Sequence, residues 1–522
     1  MVSGGSDSGR RFAGAVRVLL RFLLQPRTRY VLAWLLAVIT AGITFFFAWT
    51  MFDTPKKEDG RSKRRGGNSG HVTIDFGGQW LMGRMVSQGL GRHLYHRNYL
   101  REVVREAYPR ADEIPPQERS AAEEDEHDAE NMMNWLIGRD DPASLCPVGG
   151  ALYPPIHALI MSPLGLLRPA RAYRVQQAFG ILLALVAGAG IRLLSEGRIW
   201  WPIGVAGVVL YPGFASALNL GQNCILVLTL LIWGWVFVVQ NRPVCAGIVW
   251  GLLAFKPVWA VAFFLVPLLT RRWRVCLAML LTGLGLAAAT LPLVGWQSWL
   301  DWLQVGRMAS DIYATNRNWI FLSRDLVGIP RRWLIDFSGD DALHQSLAAT
   351  VIGWGLLGSV VACTAALCVL RKEQSRAVTG PPAAFLLLGA WLSCYHFMYY
   401  DVLLTALPVA LLLTEPRRYF EPALITVAFT PEAAGQRSSA PFSSVQKICV
   451  RNSMTLTLIA LLAVCDLLLP ALEIEVSISA PVLKHLPIPT PIKYSTAYDG
   501  TPWPTFCVVA LWLWCGWLSR KK

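Results

Sequence analysis

Charged side chains are scarce in this chain of 522 residues, of which Asp, Glu, Lys and Arg together make up only 16%. Hydrophobic residues make up 54%, and the mean hydropathy is +0.41. A soluble globular protein is roughly 45–50% apolar. The composition therefore excludes an ordinary soluble protein and indicates an integral membrane protein with many spans.

Cysteine pairs in polar loops are lacking as well. Of the 11 cysteines, only Cys146 and Cys449 lie in polar loops, so the sequence shows no disulfide framework. It also lacks a DxD cluster, or His and Asp residues at metal-ligand spacing, where a metal site outside the membrane would need them. We therefore expect no metal and no other cofactor.

The formal net charge of +14 does not indicate nucleic-acid binding in this chain. Its Lys and Arg residues cluster in short runs between apolar segments, which is typical of cytoplasmic loops that contact lipid headgroups. The expected partners are therefore membrane lipids and no nucleic acid.

Long apolar runs define the predicted fold. The run from Tyr30 to Phe52 can cross a hydrocarbon core of ~30 Å and exceeds the roughly 7–15 apolar residues of a signal peptide. Further apolar runs bring the total to about twelve and lie near 152–167, 175–194, 200–219, 222–239, 243–270, 275–295, 347–370, 382–399, 401–414, 454–471 and 504–518. The predicted fold class is all-α, a polytopic membrane protein with amphipathic helices in its outer loops.

Basic loops set the predicted orientation. Positive charges flank the first span equally on both sides and do not decide its orientation. If the N-terminus is cytoplasmic, nearly all later cytoplasmic connections are basic, as the positive-inside rule requires. The loops 53–151, 296–346 and 472–502 then lie outside. The predicted regions are a cytoplasmic N-terminus (1–29), the main transmembrane region (30–415), a cytoplasmic linker (416–452) and a C-terminal helix pair (453–522).

The stretch from His71 to Tyr99, in the first outer loop, combines one carboxylate with several Arg and His residues. Such a group at the membrane surface suits a reaction on a lipid-linked substrate. In sugar transfer from a polyprenyl phosphate, a carboxylate deprotonates the acceptor hydroxyl as general base, and we assign this role to Asp75. Arg84, His93 and His96 would then stabilise the phosphate leaving group.

The other parts of the outer loops are less specific. The acidic insert 118–131 is expected to be a solvated face. The second outer loop begins with Trp296, Trp299 and Trp302 at helical spacing, which predicts a helix lying flat in the interface with its indoles at headgroup depth. Asn318 follows on the same outer side and is a further expected substrate ligand.

Two polar features interrupt the apolar runs. Lys256 lies inside a predicted span beside Pro257, which should kink the helix. Its partner is either a substrate phosphate or a carboxylate in a structural ion pair. The turn at Gly221, Gln222 and Asn223 is either a tight helix–helix turn or a sugar-binding site on a re-entrant helix, and charge counting places it on the cytoplasmic side.

His396 and Tyr400 lie near the outer end of a late span, with further Tyr residues and Asp401 around them. Tyr is expected at headgroup depth, and a lone interfacial His is usually a packing residue. Because these residues are predicted on the side of Asp75, they are also expected substrate ligands.

Five motifs follow one another in an order that resembles the glycosyltransferase 87 family of the GT-C superfamily. They are IDFGGQWLMGRMVSQGLGRHLY, LYPPIHALIMSPLGLLRP, NLGQNCILVLTLL, GLLAFKPVWAVAFFLVPLLTRRWR and SCYHFMYYDVLLTALPVALLL, and the resemblance spans residues 30–415. It implies an inverting transferase that moves mannose or a related hexose from a polyprenyl-phosphate donor to a glycolipid or glycan on the outer face of a bacterial plasma membrane.

The resemblance also implies site residues. The catalytic aspartate of the family matches Asp75, and its further motif positions match Tyr153 to Pro155, Gly221 to Asn223, Lys256 with Pro257, and His396. The Ser-Pro that precedes the histidine in the family is Ser-Cys in this sequence.

Two other classes share some of these features. A transporter or flippase of lipid-linked sugars would also have basic loops and many spans, but it predicts polar residues scattered near mid-membrane and internal symmetry. If the protein were a membrane scaffold whose acidic loop binds partners, Asp75 and His396 would have no functional role. The sequence leaves the sugar, the acceptor, the linkage and the oligomeric state open.

Overall fold

The computed structural model describes residues 25–53, 55–58, 61–64, 75–107, 133, 137–138, 144–146, 153–335, 346–414, 454–463 and 502–520. The predicted linker 416–452, the acidic insert 118–131 and residues 472–501 lie outside this part of the chain.

Helices dominate the part of the chain that the structure describes, and the predicted all-α class is confirmed. The exception is a hairpin of β1 (Pro55–Glu58) and β2 (Arg61–Arg64). The α-helices are α1 (Pro26–Asp53), α2 (Asp75–Ser87), α3 (Arg97–Ala107), α4 (Pro155–Gly165), α5 (Pro169–Leu194), α6 (Trp201–Val209), α7 (Phe214–Leu220), α8 (Cys224–Val239), α9 (Pro243–Gly251), α10 (Pro257–Leu269), α11 (Trp273–Thr315), α12 (Arg317–Leu322), α13 (Arg331–Leu334), α14 (Leu347–Leu370), α15 (Lys372–Ser375), α16 (Gly380–Leu392), α17 (Ala406–Leu413), α18 (Met454–Ala463) and α19 (Trp503–Leu518). Short 3₁₀ helices lie at Gly91–His93, Leu252–Phe255 and Tyr399–Thr405.

The helices that are long and apolar enough to cross a membrane number four within the described residues: α1, α5, α11 and α14. A fifth results if α6 and α7, which are bent by 67° relative to each other, form one broken span. The predicted count of about twelve is not confirmed. Several of the predicted spans correspond to apolar helices of only 10–17 residues.

The span predicted at 243–270 is interrupted at Lys256. Its backbone there is non-helical, with φ −129° and ψ 76°, and Pro257 begins α10. Proline is favoured at the first helical position because its missing N–H has no acceptor there, whereas inside a helix it removes a hydrogen bond. The predicted kink at Pro257 is therefore a break between two helices.

Gly295 interrupts α11 with φ 70° and ψ 170°, a conformation that suits glycine. The break falls at the predicted end of the span 275–295 and before the predicted tryptophan-rich helix. Trp296 is exposed, whereas Trp299 donates from Nε1 to Thr290 Oγ1 at 3.1 Å. One face of this segment therefore packs on the protein.

Close packing against α4 holds α2 on the helical body. Gly83 faces the backbone of Met161, and Gly165 faces the backbone of Arg84. Glycine lets the helices approach in the way that small residues do between membrane helices. Phe76 and Trp80 on α2 are fully buried in this packing.

Candidate active site

Asp75 is the first residue of α2, and it lies against the turn that joins α7 to α8. Gln222 in this turn donates a hydrogen bond from Nε2 to Asp75 Oδ1 at 3.3 Å. The turn therefore lies against Asp75, whereas charge counting had placed the two on opposite sides of the membrane. The positive-inside rule counts charges in loops, and this turn contains no charge to count.

Gly221 gives the turn its shape. Its backbone is left-handed, with φ 64° and ψ 28°, and this conformation ends α7. A Cβ at this position would lie 2.9 Å from the Cβ of Phe76. Glycine is thus required both by the backbone conformation and by the contact with the residue that follows Asp75.

Gln79 ties the turn to α2. Its Nε2 donates to the carbonyl of Gly221 at 3.3 Å, and its Oε1 accepts a hydrogen bond from the Asn223 side chain. Asn223 in turn accepts from Gln176 at 3.2 Å. The sequence analysis did not select Gln79, although a glutamine one helical turn after Asp75, with only apolar residues and glycines beside it, was a usable signal.

Tyr153 joins the same network from the start of α4. Its hydroxyl donates to Gln222 Oε1 at 3.1 Å, and its own carbonyl accepts from the Tyr95 hydroxyl at 2.9 Å. Gln222 therefore bridges Tyr153 and Asp75 through the two ends of one amide group. The structure brings together Asp75, Tyr153, Gln222 and Asn223, four of the predicted site residues.

His157 lies one turn further along α4 and was not selected from the sequence. Its ring stacks on Tyr153, with centroids 4.0 Å apart. The side chain is fully buried, and neither ring nitrogen has a hydrogen-bond partner among the described residues. Burying an imidazole without hydrogen-bond partners costs free energy. Packing alone therefore does not explain a histidine at this position.

Lys256, at the break between α9 and α10, forms a buried ion pair. Its Nζ lies 3.1 Å from Asp401 Oδ1, and the two residues are only 6% and 1% exposed. Trp259 Nε1 and the backbone amide of Met398 also donate to the Asp401 carboxylate. Of the two alternatives for Lys256, the structure contains the ion pair, so its charge is compensated by Asp401.

Tyr400 connects this ion pair with the turn. Its ring centroid lies 5.7 Å from Lys256 Nζ, and its carbonyl accepts from the Cys224 thiol at 3.8 Å. The segment 396–401 therefore lies beside the Asp75 network, and Lys256 and Tyr400 belong to the same site.

His396 pairs with a second carboxylate. Its Nδ1 lies 3.3 Å from Asp325 Oδ2, and its ring stacks on Tyr313 with centroids 4.0 Å apart. Burial by itself would raise the pKa of Asp325. The hydrogen bond and charge of His396, with hydrogen bonds from Ser323 and the Gly328 amide, outweigh burial and hold this pKa below its usual value.

The basic residues after Asp75 have other partners. Arg84 donates to the carbonyl of Gly165 at 3.0 Å. His96 lies 3.2 Å from Asp301, which also accepts from Gln297 at 2.8 Å.

His93 stacks on Tyr99 with centroids 4.0 Å apart. The predicted substrate contacts of Arg84, His93 and His96 stay predictions. The side chain of Asn318 lies outside the described residues.

Together these observations define a helical, membrane-type protein with a buried polar site beside Asp75. The sequence model of glycosyltransferase family 87 matches residues 151–394. The predicted resemblance to this family is therefore confirmed over this region. Comparison with curated proteins and with solved structures gave no match.

The match to a glycosyltransferase family indicates an enzyme that transfers a sugar. The matched region contains Tyr153, Gln222, Asn223 and Lys256, whereas Asp75 and His396 lie outside it. These two residues are connected to the family region by their contacts, Asp75 through Gln222 and His396 through Tyr313.

Proposed function

We propose that the protein is an inverting hexosyltransferase that uses a polyprenyl-phosphate sugar, with mannose as the transferred hexose, and that Asp75 is its general base. The observation that carries this proposal is the hydrogen-bonded series Asp75–Gln222–Tyr153. It joins the only carboxylate of the helix α2 to two polar residues of the region that matches a glycosyltransferase family.

The proposed chemistry needs few groups. Asp75 takes the proton of an acceptor hydroxyl while the acceptor oxygen forms a bond to the anomeric carbon. The bond from that carbon to the phosphate oxygen breaks on the opposite face, so the configuration inverts. Gln222 donates to the Asp75 carboxylate and holds one of its oxygens in place.

The leaving group is a lipid phosphate, whose increasing negative charge needs hydrogen-bond donors. Tyr400, which lies beside the network, is proposed to donate to the phosphate of the donor, and His396 is proposed to contact its sugar. Lys256 is proposed to act on the leaving group through its charge, without contacting it, because its ammonium group is already paired with Asp401. In this account the reaction uses no metal and no other cofactor.

The proposed location is the outer face of a bacterial plasma membrane, with the N-terminus in the cytoplasm. The basic connections between apolar helices support this orientation. The acceptor would be a glycolipid or a glycan, and the donor would reach the site from the lipid phase.

A reconstituted transfer assay tests the proposal. The full-length protein in liposomes is given radiolabelled polyprenyl-phosphate mannose, with octyl mannoside or a membrane lipid extract as acceptor. We expect Asp75→Asn to reduce transfer by about 10²- to 10⁴-fold. Glu102→Gln, the same change at an exposed residue of α3, should retain wild-type transfer.

Equal transfer by wild type and Asp75→Asn would show that Asp75 is not the base. If neither protein transfers sugar from any polyprenyl-phosphate donor, the transporter alternative is tested next. Movement of the labelled lipid across the liposome membrane would then identify a flippase.

A further inference from the structure

Asp325 and His396 come from distant parts of the chain and are held side by side by backbone pairing. Ser323 and Met398 form an isolated antiparallel bridge, and the Arg324 amide donates to the carbonyl of Phe397 at 3.0 Å. The contact between Asp325 Oδ2 and His396 Nδ1 at 3.3 Å is therefore set by two paired strands of main chain. The paired backbone, and not only the side-chain conformations, brings these two groups together.

The Asp325 carboxylate is fixed by further donors. Its Oδ1 accepts from the Gly328 amide at 2.6 Å, and its Oδ2 accepts from the Phe397 amide at 3.4 Å. The Ser323 hydroxyl donates to it as well. An ionised carboxylate only accepts hydrogen bonds, and the lowered pKa of Asp325 keeps it in this form.

The plane of the His396 ring is fixed from another direction. Tyr313 stacks on it with an interplanar angle of 20°, and the residue is buried. Stacking restricts ring rotation, and the Asp325 contact selects which nitrogen faces the carboxylate. Nδ1 faces Asp325, so Nε2 lies on the side of the ring directed away from it.

We infer that Asp325 is a positioning residue that keeps the histidine proton on Nδ1 of His396, so that Nε2 accepts a hydrogen bond from a hydroxyl of the sugar substrate. In a neutral imidazole, the hydrogen bond of one nitrogen decides which nitrogen carries the proton. His396 lies in the segment 396–401, which contacts the Gln222 turn through Tyr400 and Cys224. The sugar role rests on the proposed function, whereas the position of the proton does not.

Nuclear magnetic resonance tests the position of the proton without any substrate. The full-length protein is labelled with ¹⁵N-histidine, and the His396 signals are assigned as those absent from His396→Gln. In the wild type at a pH where the ring is neutral, we expect the proton on Nδ1. In Asp325→Asn, the new amide group donates to Nδ1, so the proton should move to Nε2. The same tautomer in both proteins would overturn the inference.

A double-mutant cycle tests the consequence for transfer. We expect Asp325→Asn and His396→Gln each to reduce kcat/KM by about 10- to 100-fold, the effect of losing one substrate hydrogen bond. The double variant should be no worse than His396→Gln alone, because Asp325 acts through this histidine. Effects that multiply would mean that Asp325 only supports the loop. Asp311→Asn, an exposed residue of α11, is the matched control.

The two experiments separate the claims. A proton on Nδ1 that moves in Asp325→Asn, in a protein without polyprenyl-phosphate transfer activity, would support the positioning role and reject the proposed function. Active protein whose His396 tautomer is unaffected by Asp325→Asn would reject the positioning role alone.

Discussion

The side-chain amide of Gln222 donates to the carboxylate of Asp75 at 3.3 Å, although 147 positions separate the two residues in sequence. The same amide accepts from Tyr153 on its carbonyl end. Because the amide group forms a hydrogen bond at each end, it has one favourable orientation, and it links the position of Asp75 to that of Tyr153.

Removal of the Gln222 side chain should therefore loosen Asp75. We predict that Gln222→Ala lowers kcat by about 10-fold, which corresponds to ~1.4 kcal/mol of transition-state stabilisation. Initial rates of sugar transfer at saturating donor measure this effect. Gln374→Ala on α15, away from the site, is the control and should leave the rate unchanged. An unaltered kcat in Gln222→Ala would separate the amide from catalysis.

Gly221→Ala should damage both stability and activity. The added Cβ meets Phe76 in a left-handed backbone, and we expect a loss of about 1–3 kcal/mol in the free energy of unfolding. Thermal unfolding in detergent measures the loss. Gly285→Ala in α11 places its Cβ where no atom lies within 4 Å and should be neutral or stabilising. Equal melting temperatures for the two variants would contradict the structural account of the turn.

The Lys256–Asp401 pair makes a different prediction for stability. Lys256→Met leaves Asp401 buried without its partner and should cost about 3–5 kcal/mol in unfolding free energy. Adding Asp401→Asn removes the uncompensated charge, so the double variant should recover most of this loss.

Thermal unfolding and the KM for the donor should be measured together, with the exposed residue change Lys372→Met as control. If Lys256→Met keeps its stability and only raises KM, Lys256 binds phosphate directly and the structural ion pair is of secondary importance.

The pKa of Asp325 predicts a dependence of stability on pH. Because its folded pKa lies below the ordinary value of ~3.9, its ionised form stabilises the fold above that value, and the contribution is lost as pH falls through the folded pKa. Wild type should therefore exceed Asp325→Asn in unfolding free energy at neutral pH, and the difference should shrink in strong acid. A difference that is constant down to pH ~3 would contradict the ionised pair.

Local chain breaks could be predicted from the sequence because their causes are local. Pro257 interrupts a predicted span at Lys256, and Gly295 separates a predicted span from the tryptophan-rich helix. Proline geometry and glycine conformation act within one or two residues. The span count of about twelve assumed one straight helix for each apolar run, and such breaks violate that assumption.

The partners of the polar residues could not be predicted. Asp401 compensates Lys256, Asp325 pairs with His396, and Asp301 with His96. Each pair joins distant segments, so no local pattern indicates it. Charge counting separated the turn with Gln222 from Asp75 because the turn has no charge, whereas the structure places the Gln222 side chain against Asp75.

The central claim is tested most directly by sugar transfer in liposomes from radiolabelled polyprenyl-phosphate mannose, with wild type and Asp75→Asn compared at equal protein. The account predicts that wild type transfers the sugar and that Asp75→Asn retains the fold, shown by an unchanged melting temperature, but loses at least about 10²-fold in rate. Equal rates in the two proteins would contradict it.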